Sequence, residues 1–104
     1  MATVIATNVA TVIKKLPRAW VVGGKPVTEI EVREPLLGDT LEAEKEANPA
    51  LHPNAFNVAL ACQVLVRAGD DTGPFVVGQF KTLNDKQWSV FREAMREAEQ
   101  LGEG

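Results

Sequence analysis

The stretch EIEVREPLLGDTLEAEKEA, residues 29–47, holds seven carboxylates in nineteen residues. Acids at that density can bind a divalent cation or move protons, provided that they converge on one point. Their spacing argues against convergence. Glu29 and Glu31 alternate with Ile30 and Val32, so with Arg33 they fall on the outward face of a strand. Asp39, Glu42, Glu44 and Glu46 crowd the start of a short helix, where capping of free amides and the helix dipole already favour acids. Glu42 and Glu46 share a helix side, yet no histidine or second acidic helix motif accompanies them, as a di-metal site would need. Calcium-loop spacing is absent too.

The remaining reactive side chains are few. The single histidine, His52, sits in ALHPNA between prolines, a helix connection where capping or solvation is its ordinary role. The single cysteine, Cys62, lies in the most apolar segment, where a thiol is inert core more often than nucleophile. A Cys62–His52 pair is conceivable in space, although nothing in the spacing asks for one. VVGGKP resembles a phosphate loop but lacks its length, its final Ser or Thr and a following helix. No catalytic residue, cofactor or metal is therefore assigned.

Composition narrows the class further. The 104 residues suit one domain, 1–104, and 45% hydrophobic with 24% charged residues is ordinary for a globular chain. A net charge of −3, with basic residues scattered, carries no footprint for nucleic acid. The apolar start has no basic residue before it and no long unbroken apolar run, so neither a leader nor a membrane span is expected. One cysteine makes no internal disulfide, which points to a reducing cytoplasm.

The elements that must position these residues follow from pattern. ATVI occurs at Ala2–Ile5 and again at Ala10–Ile13, as short strands around an Asn8 turn or by chance, and residues 1–11 are expected to form an N-terminal arm, flexible or strand-forming. KLPRAWVV and KPVTEIEVR are two β-prone runs joined by Gly23 and Gly24, which supply the positive φ of a tight hairpin turn. In the second run Thr28, Ile30 and Val32 are expected to face inward. Pro35 ends that strand, Gly38 and Asp39 open a helix with Asp39 as its cap, and Asn48-Pro49 stops it. A second helix is expected from Pro53 or Asn54 to Gly69, central and buried, with Phe56, Leu60 and Val64 four apart. Phe75–Val77 reads as a strand or as a clamp over the core. The last helix starts at an Asn84 cap with Gln87 at the reciprocal position, and Leu83 ready to staple onto Trp88. Trp88, Phe91, Met95, Ala98 and Leu101 form its apolar face, and Gly102 ends it. The expectation is an α+β fold: an N-terminal β-hairpin, with room for a small antiparallel sheet, then three helices.

The order of these signals resembles the small tail assembly chaperones of bacteriophages with Mu-like or P2-like tails. The similarity rests on Gly24-Lys25 at the turn, on Val32-Arg33-Glu34-Pro35 at the strand end and on Gly38-Asp39 at the helix start. A central apolar helix (Phe56 to Val66) and a final helix with Leu83, Asp85 and Phe91 are similar as well. The resemblance covers roughly residues 12–95, and its specific part is confined to about 25–45. The segment from Asp70 to Phe80 is longer and more Gly-rich than the family pattern. The ATVI lead has no counterpart there.

The resemblance implies a non-enzymatic role in the host cytoplasm. Such chaperones bind the long tape measure protein, keep it soluble while tail tube subunits assemble around it, and are absent from the finished virion. The tail tube protein and further copies of the chain are the other partners it allows. A client of this kind needs exposed apolar surface, for which Trp20, Val22, Leu36, Leu37, Trp88 and Phe91 are candidates, each of which would otherwise fill the core. The strand-prone arm could pair with a neighbouring subunit by strand addition. Two other readings stay open: a small structural tail or connector component, and an enzyme or inhibitor of unknown target.

Overall fold

The computed structural model describes residues 9–103. In chain order they form β1 (Thr11–Val22), β2 (Lys25–Arg33), α1 (Leu37–Glu46), α2 (Pro53–Val64), β3 (Leu65–Ala68), α3 (Val77–Phe80) and α4 (Asp85–Glu103). The strands make one antiparallel sheet in the order β1-β2-β3, so the chain is α+β. Most of the arm expected over residues 1–11 lies outside the described residues, as do the first ATVI and Asn8. The second ATVI runs into β1.

Gly23 and Gly24 sit at φ of 59° and 80°, and Val22 pairs with Lys25 across them. Two consecutive left-handed residues give a turn whose twist matches the strands it joins, and glycine adopts that conformation without a Cβ clash. The ladder then runs from Trp20↔Val27 to Lys15↔Glu29 with a break: residues 16–19 of β1 stand opposite Thr28 alone. Pro17 falls within this bulge, where its missing amide hydrogen costs no ladder bond.

The bulge shifts the inward phase of β2. Val27, Ile30 and Val32 are buried, whereas Thr28, expected inside, is exposed. Beyond the slip the alternation holds, with Glu29, Glu31 and Arg33 on the outer, half-buried side. Val12, Ile30, Val32, Leu65 and Ala68 line the inner face, and α4 packs across it against β1 and β2. Lys14, on the same inner side at the sheet edge, reaches Glu93 and Glu97 of α4 at 3.1 and 2.7 Å.

The second helix is shorter than expected. It stops at Val64 and the chain passes directly into β3, whose Leu65, Arg67 and Ala68 pair with Val32, Glu31 and Ile30. Two forces outweigh helical continuation there: Leu65 and Ala68 complete the inner sheet face, and Arg67 bonds Glu29 and Glu31 at 3.0 Å each. The buried face of α2 is made by Ala59, Ala61 and Val64, while Phe56 and Leu60 are only partly covered. A third strand thus lies between the helices, and a fourth, one-turn helix precedes the last one.

Phe75 and Phe80 resolve the loop between β3 and α4. Both are buried, so the segment acts as the clamp alternative, with α3 carrying Phe80 inward. Trp20, Phe80, Phe91 and Trp88 form one aromatic cluster with centroid separations of 5.2 to 6.4 Å. Such tilted and edge-on pairs add to burial because the positive ring edge meets a negative ring face. The expected α4 face holds for Phe91 and Ala98, with Ala94 added, but Leu101 is 60% exposed. Gly102 does not end the helix, which runs on to Glu103. Glu34 lies against Gly102 so closely that a Cβ there would collide with its carboxylate.

Candidate partner-binding surface

The turn from sheet to helices is set by one ion pair. Arg33 donates from both terminal nitrogens to Asp39, at 2.6 and 2.8 Å, and also to the Glu34 and Gln63 carbonyls at 3.2 and 2.9 Å. Asp39 accepts the Leu36 amide at 2.8 Å. Asp39 is therefore not the cap, as expected from sequence, but the third residue of α1, with Leu36 in the N-cap position. A carboxylate one turn into the helix can reach back to the cap amide while still facing a guanidinium on β2. Burial alone would push the Asp39 carboxyl up; the Arg33 and Leu36 bonds outweigh it and hold the group below the ordinary carboxylate value. Pro35 ends β2 as expected, and Gly38 sits as an ordinary helical residue in open space.

At the other end of the core the Asn84 and Gln87 box forms in full. Gln87 N–H donates to Asn84 Oδ1 at 2.8 Å and Asn84 N–H to Gln87 Oε1 at 2.7 Å. Gln87 does more than cap. Its Nε2 donates to the Arg18 and Ala19 carbonyls in the β1 bulge, at 2.9 and 3.2 Å. Trp20 Nε1 likewise donates to Gln79 O and Thr82 Oγ1 at 3.2 and 3.1 Å. The carbonyls freed by the bulge thus find partners, and the α4 N-terminus is placed by them.

Of the six candidate contact residues, Trp20, Val22 and Phe91 are buried in the core, and burial removes them as contacts. Trp88 is half-buried at the edge of the aromatic cluster. Leu36 and Leu37 remain, at 44% and 73% exposure, and the structure adds exposed apolar residues that the sequence reading passed over, among them Leu41 at 51% and Leu51 at 72%. Leu37 and Leu41 are four apart on α1 and so share a face. The opposite side of α1 turns Asp39 and Ala43 inward, towards α2. The signal was available in the i, i+4 spacing, masked by the acids around it.

The chemistry-bearing residues do not gather. His52 occupies the N-cap of α2 and is exposed, and Cys62 lies ten residues further along the same helix. At about 1.5 Å rise per residue they stand roughly 15 Å apart, so they form no Cys–His pair. Burial, with the charge of Glu46 adding to it, pushes the Cys62 thiol up to about 11, leaving it protonated at neutral pH. A cleft of about 510 Å³ lies beside the hairpin tip and the β3 turn. Arg67 there is engaged by Glu29, Glu31 and the Gly69 carbonyl, and Asp71 by the Gly73 amide, while Lys25 and Asp70 also line the cleft. No group of three metal-ligating side chains occurs among the described residues.

A second, smaller groove of about 220 Å³ runs between α2 and α4. Its walls are Pro35, Leu60 and Met95, and Arg92 and Arg96 stand beside them. No helix among the described residues is long and apolar enough to cross a membrane. Comparison of the chain with protein-family models, with curated proteins and with solved structures found no match.

Proposed function

We propose that this chain is a non-enzymatic tail assembly chaperone, binding the tape measure protein of a phage and keeping it soluble in the host cytoplasm while the tail tube forms. The observation that carries the reading is the exposed leucine row at the N-cap and first turns of α1, Leu36, Leu37 and Leu41, beside Glu42, Glu44 and Glu46. A carrier of a long amphipathic helix needs apolar contacts that the carrier itself cannot bury, surrounded by charge that keeps it from precipitating. The resemblance over residues 25–45 supports the same reading, and that stretch includes the whole row.

Co-expression tests it. The chain should raise the soluble yield of the tape measure protein and co-purify with it, and Leu37→Ser with Leu41→Ser should abolish both effects while the chain itself stays folded. Unchanged client solubility with and without the chain would sink the proposal. Detection of the chain in purified virions at stoichiometric amounts would favour a structural tail component instead.

A further inference from the structure

We infer that this chain pairs with a second copy of itself, α1 of each molecule lying in the α2–α4 groove of the other. Two features left unpartnered within one molecule fit each other. The first is the α1 ridge, where Leu37 and Leu41 project at 73% and 51% exposure and Glu44 follows one turn later on the same face. The second is the groove of about 220 Å³ walled by Pro35, Leu60 and Met95, large enough to accept a leucine side chain.

Charge favours the same match. Arg92 and Arg96, one turn apart beside the groove, form no ion pair among the described residues, and nearby Glu93 is engaged by Lys14. The exposed acids of α1 are Glu42, Glu44 and Glu46, against a single Lys45 that is drawn to Glu42 at 2.9 Å. Glu99 in the groove lining is a like charge that an incoming α1 would meet. Acidic ridge and basic groove therefore attract, and that attraction fixes register as well as affinity.

Position makes the contact mutual. Pro35 belongs to the groove wall, and Leu36 and Leu37 follow it directly in the chain, so the ridge begins next to the groove. A surface that carries both a projection and its receptor can meet its own copy about a two-fold axis, giving two identical contacts and a closed dimer. This inference does not rest on the chaperone reading, because it concerns the chain alone with no client present.

Sedimentation equilibrium of the purified full chain tests it. A concentration-dependent dimer is expected, weakened by salt. Leu41→Glu alone, and Arg92→Glu with Arg96→Glu, should each weaken dimerisation by about tenfold or more, with circular dichroism unchanged. Mixing the two variants should restore a heterodimer, because one ridge and one groove remain intact and face each other. A chain that stays monomeric at near-millimolar concentration would overturn the inference. So would a dimer that both variants leave untouched, or variants that associate no better mixed than apart. Loss of client binding in the α1 variant with monomeric wild type would separate a client surface from a self-association surface.

Discussion

At the scale of single residues, the decisive pair is Arg33 and Asp39. Sequence pattern placed Arg33 on an outward strand face and Asp39 at a helix cap; each is close to right, and neither reading contained the bond between them. A contact six residues apart across a proline turn has no periodicity to betray it. Asp39→Ala should cost about 1–3 kcal/mol in urea unfolding, since it leaves a half-buried guanidinium without its acceptor and frees the Leu36 amide. The acid titration carries the same information. The Asp39 carboxyl titrates lower in the folded chain than in the unfolded one, so ionised Asp39 stabilises the fold. Its contribution is complete above about pH 4 and is lost as pH falls through the depressed native value. Stability measured downward from pH 5 should therefore fall less steeply in Asp39→Asn than in the parent; equal slopes would show that the pair is not what acid breaks.

At the scale of elements, the Asn84 cap and the hairpin were legible because their signals are local: adjacent glycines, a proline, an Asn-x-x-Gln step. What escaped was non-local. The extra β1 residues opposite Thr28 cannot be read from either strand alone, and they reversed the inward phase at Thr28 and Val27. Leu65–Ala68 continues an apolar helical run by composition, and becomes a strand only because β2 offers it an edge and two glutamates. The tie between α4 and the bulge gives a quantitative contrast. Asn84→Ala removes one capping acceptor and should cost about 1 kcal/mol. Gln87→Ala removes the acceptor of the Asn84 amide and leaves the Arg18 and Ala19 carbonyls without this donor, so about 2–3 kcal/mol is expected. Hydrogen exchange should show the excess at residues 18–22; similar losses for the two variants would mean that the bulge is solvated without help from Gln87.

For the whole molecule, the division between core and surface separates the six candidate contacts in a way that stability measurements can check. Phe91→Ala empties the centre of the aromatic cluster and should cost about 3–5 kcal/mol, a large part of what a chain of this size has. Leu37→Ser should change stability by no more than about 0.5 kcal/mol. Comparable melting shifts for the two would show that α1 is packed more deeply than its exposure states. The β1 bulge has a consequence for traffic between molecules. β1 is an outer strand of the sheet, and an open outer strand is a template on which other chains polymerise. Here the usable stretch is cut short: past Lys15 the spacing of backbone groups is lost, and Pro17 has no hydrogen to donate. The β1 edge thereby offers a neighbouring chain only the short run from Thr11 to Lys15 as a regular template for strand addition.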